Sequence, residues 1–133
     1  MASLVENVVI ITGASSGIGR GLAIQLASRG AWLVLAARRA KDLTEVAEMC
    51  QTLGGRALAV PTDVVEEDQC KALVSATLAA YGRVDTLINN AGISMWARFE
   101  DAEDLSAMRR IMEVNYYGAV HCTRHALPEL RKT

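Results

Sequence analysis

The chain has 133 residues, 51% of them hydrophobic and 22% charged, with 14 basic against 15 acidic side chains and a formal net charge of −1. That length supports one domain with a real core and not two. The near-neutral balance gives no footing for nucleic acid or an anionic membrane surface as a partner.

Met1-Ala2-Ser3-Leu4-Val5-Glu6 has neither the basic start nor the long apolar stretch of a secretory leader. Val8-Val9-Ile10-Ile11 is a continuous apolar run and predicts a buried first strand. Thr12-Gly13-Ala14-Ser15-Ser16-Gly17-Ile18-Gly19 follows it. Ile18, Leu22 and Leu26 then recur at helical spacing and predict a helix over residues 17–29, closed by Gly30. A glycine loop between strand and helix brings backbone N–H groups to an anion at the positive end of the helix dipole. The spacing G-x-x-x-G-x-G is neither G-x-G-x-x-G nor a P-loop, since no Lys-Ser/Thr follows. Gly13 suits the sharp turn, Gly17 a close approach of phosphate to the backbone, and Gly19 packing of the helix on the strand. Ser15 and Ser16 offer hydroxyls to phosphate or to the helix cap. The alternative is a glycine-rich turn that binds nothing.

Residues 32–37 predict the second strand, inside the longest apolar run, which is far too short to cross a bilayer. A carboxylate about twenty residues beyond a glycine loop would bind the ribose hydroxyls of NAD. No Asp or Glu occurs between Glu6 and Asp42; Ala37 stands in that slot, followed by Arg38 and Arg39. Guanidinium groups suit a phosphate, and arginine at a helix N-terminus opposes the dipole unless an anion sits there. NADP(H) is therefore expected ahead of NAD(H). The alternative is a pair of solvated arginines opening a helix.

That helix carries Leu43, Val46, Ala47, Cys50 and Leu53 on one face and stops at Gly54-Gly55. Residues 57–60 predict strand three, followed by Thr62-Asp63-Val64, where Asp63 is suited to cap the next helix. Cys70, Leu73, Val74, Thr77, Leu78 and Tyr81 mark that helix, which ends at Gly82. Residues 84–88 predict strand four, leading into Asn89-Asn90-Ala91-Gly92, which by itself reads as a turn. Leu105, Met108, Ile111 and Met112 open a further helix that runs on, with a kink or break, toward Leu127. Core packing is the default expectation for its Met-rich stripe and for Trp96 and Phe99. Asn115 interrupts an apolar helical pattern and reads on its own as a satisfied buried Asn. His121 and His125 lack an H-E-x-x-H context, so no metal site is expected. Cys50, Cys70 and Cys122 form no C-x-x-C pair, which predicts free thiols and a reducing, cytoplasmic setting.

Short apolar strands alternating with helices predict a parallel sheet covered on both faces. The fold class is α/β, a Rossmann-like doubly wound sheet of order 3-2-1-4, with residues 1–133 forming a single domain, which the family resemblance given below implies is an incomplete dinucleotide-binding one. Ligands of such sheets sit beyond the carboxyl ends of the strands, near the point where strand order reverses. There the chain gathers its glycine loop, Arg38-Arg39, Asp63-Val64 and Asn89-Asn90-Ala91-Gly92.

These motifs and Asn115, in this order and spacing, resemble the short-chain dehydrogenases/reductases over essentially the whole chain. The resemblance implies hydride transfer between a nicotinamide cofactor and a small-molecule carbonyl or alcohol. It implies that Gly13, Ser15, Ser16, Gly17, Ile18 and Gly19 form the cofactor loop and that Asp63 and Val64 bracket adenine. Asn90, Ala91 and Gly92 would leave room for the cofactor ribose. Asn115 would kink its helix and hold a water in a proton relay to a catalytic lysine. The helices after strand four would pair in a homo-oligomer. The family's tyrosine and lysine, four residues apart, are missing: no Y-x-x-x-K occurs, and the serine of the next strand has no counterpart. Tyr116 and Tyr117 read as helix packing residues. The expectation is therefore the cofactor-binding half of an NADP(H)-dependent oxidoreductase. It is truncated after strand four and the following helices, inactive alone, and prone to associate through an uncovered sheet edge and face. A non-catalytic dinucleotide-binding or oligomerising module is the alternative.

Overall fold

Four apolar runs pair side by side as one parallel sheet. The computed structural model describes residues 3–133; Met1 and Ala2, part of the stretch read above for a leader, lie outside the described residues. Strands β1 (Val8–Thr12), β2 (Trp32–Ala37), β3 (Arg56–Pro61) and β4 (Thr86–Ile88) take the order β3-β2-β1-β4. The connections are α1 (Gly17–Ala27), α2 (Ala40–Thr52) and α3 (Glu67–Tyr81). After β4 come α4 (Ser106–Met112), a π-helical segment (Glu113–Tyr117) and α5 (Gly118–Leu130). The expected α/β, Rossmann-like sheet is present. Strand order reverses at β1, which pairs with β2 on one side and β4 on the other.

Alternation within the strands builds two cores. Val9, Ile11, Leu33 and Leu35 face α1 and α2 in one cluster. Ile10, Val34 and Ala36 face α3 and α5 in the other. Period-two geometry sends neighbouring side chains to opposite faces, so a strand buried on both faces must be apolar throughout. Ile10, Ile11, Leu33 and Leu35 are fully buried, each stabilising the fold by about 1.5–3 kcal/mol. Helices lie on both faces of the central strands, while the outer strands β3 and β4 stay half-exposed. Pro61 ends β3, which lies at the sheet edge, where the missing N–H costs no ladder bond.

Several boundaries differ from the sequence reading. Helix α1 stops at Ala27, because Ser28, Arg29 and Gly30 donate back to Ile24, Leu26 and Ala27 in a tightening turn. Helix α2 stops at Thr52; Leu53 lies beyond its end and is exposed. Strand β4 begins at Thr86. Just before it, the Val8 N–H donates to the Asp85 carboxylate at 2.9 Å, and Arg83 Nε binds the same group at 2.9 Å. Burial works against the ionised Asp85, but the hydrogen bonds from Arg83 and Val8 outweigh it and hold its carboxyl below the usual range.

The kink expected before Leu127 is the π-helical segment, which contains Asn115. Core packing was the wrong expectation for part of the stripe after β4: Trp96 is 99% exposed, and Phe99 and Met112 are exposed as well, whereas Met108 and Ile111 are half-buried. Tyr116 and Tyr117 are also exposed and pack edge-on against each other, with ring centroids 5.1 Å apart.

Candidate functional site

The loop after β1 is shaped by three glycines with different tasks. Gly13 has φ +66°, and a Cβ there would lie 2.8 Å from Ala91 Cα and 3.0 Å from Asn90 Nδ2. Gly17 has φ +55°, yet a Cβ there would meet nothing within 4 Å. It opens the loop toward free space instead of fitting a crowded spot. Gly19 is buried, and its Cβ would strike the Gly13 carbonyl and lie 2.6 Å from Asn90 Nδ2. Gly19 thus lets α1 pack on the loop backbone and on Asn90, a correction to the expected packing on the strand. Ser16 occupies the N-cap position, but its hydroxyl makes no cap bond, so capping by this side chain is not realised. The first-turn amides of α1 have no carbonyl inside the helix to receive them.

Thr12 ties the loop to β4. Its buried hydroxyl accepts the Asn90 and Ala91 N–H groups, each at 3.0 Å, and lies 3.4 Å from the Ile88 carbonyl. Asn90 Nδ2 donates to the Gly13 carbonyl at 3.2 Å. The Ala14 N–H donates to Ala36 on β2 at 3.2 Å. One buried hydroxyl and two further hydrogen bonds therefore tie three strand ends together. Thr12 was not singled out in the sequence; its only signal was a polar residue closing an otherwise apolar strand.

Asp63 does not cap α3, whose N-cap is Glu66. Its N–H donates to Gln69 Oε1 at 2.8 Å, and its carboxylate accepts the Val65 N–H at 3.1 Å. The Asn115 amide pairs twice with one residue: Nδ2 donates to the Ile93 carbonyl at 2.9 Å, and Oδ1 accepts the Ile93 N–H at 2.8 Å. Asn115 is satisfied but exposed, not buried.

These pieces enclose one cleft of about 680 Å³ beyond the carboxyl ends of the strands. Its walls include Gly13, Ser15, Ser16, Gly17 and Ile18 from the loop, and Arg38 and Arg39 after β2. They also include Asp63 and Val64 after β3, and Asn90, Ala91 and Gly92 after β4. Of the residues expected to bind cofactor, Gly19 alone stands behind the wall. Asn115 also lies outside the lining and touches it through Ile93. Ala37, in the slot where a carboxylate would stand, and Thr62, beside Asp63, also line the cleft, and Ala36, Ile93 and Val114 complete the lining. Ile18 is 81% exposed at the mouth. Arg39 Nε pairs with Asp42 at 3.2 Å, while Arg38 is exposed and forms no ion pair among the described residues. The arrangement fits an elongated anion with a planar apolar end. Glycine and serine hydroxyls lie at a helix start, the Arg38 guanidinium and the Asp63 carboxylate follow the two strands on one side of β1, and the small Ala91 and Gly92 follow β4 on the other.

The two histidines and three cysteines stand outside the cleft lining. His121 Nδ1 donates to the Val64 carbonyl at 2.8 Å, and His125 Nε2 lies 3.2 Å from Glu67. The two rings thus serve different partners. The three cysteines are free and buried; burial pushes the Cys50 thiol up. Hydrogen bonding to Cys122, with burial, pushes up Cys70. No helix among the described residues is long and apolar enough to cross a membrane.

A family model described as short chain dehydrogenase matches residues 7–133. The chain is similar to 11-beta-hydroxysteroid dehydrogenase A of Sesamum indicum, with 47% identity over 96% of this chain and 37% of that protein. Against 11-beta-hydroxysteroid dehydrogenase 1A of Arabidopsis thaliana the identity is 45%, over 98% of this chain and 38% of the relative. Among solved structures, hydroxysteroid dehydrogenase from Escherichia coli superposes with TM-score 0.91 at 35% identity, covering 97% of this chain and 54% of that one. A short chain dehydrogenase/reductase from Burkholderia phymatum in complex with NAD has TM-score 0.91 at 33% identity, covering 98% and 46%. The chain thus spans about two fifths of these curated relatives and about half of these solved chains.

Proposed function

The chain belongs to the short-chain dehydrogenase family, and from that premise we propose that its cleft binds NADP(H) as the cofactor-binding part of an oxidoreductase. The observation that carries the proposal is the single cleft joining the glycine loop, Arg38, Asp63 and the Asn90-Ala91-Gly92 wall. Bound there, the dinucleotide supplies the hydride chemistry. The chain's own residues bind and orient it. The α1 amides and the Ser15 and Ser16 hydroxyls hold pyrophosphate. The free oxygen of the Asp63 carboxylate accepts the adenine amine. Ala91 and Gly92 leave space for ribose. Asn115 fixes the Ile93 backbone at the rim.

The names of the relatives suggest a hydroxysteroid-like alcohol or ketone as the substrate class of the whole protein. No Y-x-x-x-K is present in these 133 residues, so on this reading acid/base groups lie outside them and the chain alone does not turn over. The same absence favours a second reading, a dinucleotide-binding module without catalysis. The exposed stripe of Leu105, Met112, Tyr117 and Val120, with a groove of about 350 Å³ on α4, suits the homo-oligomer expected from the family. Three free thiols suit a reducing compartment such as the cytoplasm.

Cofactor choice rests on the end of β2. The Burkholderia relative is in complex with NAD, so the scaffold alone does not decide. Here Ala37, Arg38 and Arg39 line the cleft with no carboxylate at the slot. Arg38→Ala is expected to weaken NADP(H) by roughly 1.5–3 kcal/mol, the range for a charge-assisted hydrogen bond, and to leave NAD(H) nearly unchanged. Calorimetric titration with both cofactors tests this; equal weakening of the two would remove Arg38 as the phosphate reader.

A further inference from the structure

We propose that His121, on α5, is a positioning residue for the adenine end of the cleft. The inference rests on the cofactor reading above and deepens it. A carbonyl oxygen only accepts, so the 2.8 Å contact between His121 Nδ1 and the Val64 carbonyl requires the proton on Nδ1. That carbonyl belongs to the same planar peptide group as the Val65 N–H. The Val65 N–H in turn donates to Asp63 Oδ1 at 3.1 Å. The Val64-Val65 peptide is therefore gripped from both sides, by His121 on its oxygen and by Asp63 on its nitrogen.

Fixing that plane fixes the carboxylate that must meet the adenine amine. Two further contacts hold the same point. A Cβ on Gly118 would lie 2.6 Å from Val64 Cγ2, so α5 presses directly on the Val64 side chain. Cys70 Sγ of α3 approaches the same carbonyl at 3.5 Å. Val64 lines the cleft and is 6% exposed, whereas His121 does not line it. His121 acts through the peptide, without touching the ligand. Its place one turn beyond Gly118 puts the donor where α5 crosses the end of the β3 loop.

The test titrates the 133-residue chain with NADP+, with adenosine 2′,5′-bisphosphate and with nicotinamide mononucleotide. His121→Leu is expected to weaken the two adenine-bearing ligands about three- to tenfold, the equivalent of one net hydrogen bond, and to leave the mononucleotide unchanged. His121→Asn restores a side-chain N–H near the Nδ1 position and is expected to recover affinity. If the leucine variant does not fold, His121→Ser, which keeps polarity but holds its hydroxyl one bond short of the Nδ1 position and so farther from the Val64 carbonyl, is expected to show the same selective loss. Undiminished binding of the adenine-bearing ligands by the leucine or serine variant overturns the role of His121, as does equal weakening of the mononucleotide or failure of asparagine to rescue. A wild-type chain that binds neither adenine-bearing ligand overturns the cofactor reading, and this inference with it.

Discussion

Gly17→Asp is expected to abolish dinucleotide binding while leaving the fold intact. The φ of +55° at Gly17 lies in the left-handed region, which Asp and Asn tolerate better than other side chains. A Cβ there meets no atom within 4 Å, so the new side chain stands in open cleft and displaces nothing. Its carboxylate would face the phosphates held at the helix start. Two like charges about 4 Å apart repel by about 4 kcal/mol at an effective dielectric of about 20, roughly a thousandfold in affinity. Gly17→Asn has the same shape without the charge and is expected to lose much less. Calorimetry gives the affinities, and circular dichroism checks the fold. Wild-type affinity in the aspartate variant would mean that the phosphates do not lie at Gly17.

Thr12→Val is expected to destabilise the chain by about 2–4 kcal/mol, although the two side chains have nearly the same shape. Thr12 is 1% exposed, and its hydroxyl receives two backbone N–H groups, from Asn90 and Ala91. Valine removes the acceptor and leaves both amides unpaired; a buried unpaired donor costs about 1–3 kcal/mol, and the lower half of that range applies to each here, because Asn90 and Ala91 are half-buried at the cleft wall. Thr12→Ser keeps the oxygen and is expected to lose only the packing of one methyl group, about 1 kcal/mol. Denaturant unfolding measures both variants. A valine variant as stable as wild type would show that the β1–β4 tie is not needed to hold the wall of the cleft.

The sheet was legible because β1 and β2 are buried on both faces, which leaves almost no choice but continuous apolar residues. The strand order followed from right-handed crossovers. The cleft was legible because glycines, arginines and amides stand at strand ends where neither core packing nor turn chemistry alone requires them. Three features were not readable, each for a physical reason. Thr12 acts through two amides distant in sequence, and a Thr at a strand end looks like ordinary termination. His121 was considered only as a metal ligand, because its true partner is a backbone carbonyl that no sequence pattern marks. The exposure of Trp96, Phe99 and Met112 was missed because helical periodicity identifies an apolar face without saying what covers it. Asn115 fell between these cases: the polar interruption signalled a kink, but its pairing with Ile93 depends on a chain reversal that spacing does not encode.

The most direct test of the account is amide mapping by NMR as NADP+ is added to the 133-residue chain. The account predicts that the resonances of Gly13, Ser16, Gly17, Ile18, Arg38, Val64 and Ala91, all lining the one cleft, shift together with one saturation curve. Trp32 and Tyr81, whose rings pack 5.5 Å apart away from the cleft, should stay unmoved. No shifts at the loop, or shifts confined to the α4 groove around Leu105 and Tyr117, would contradict it.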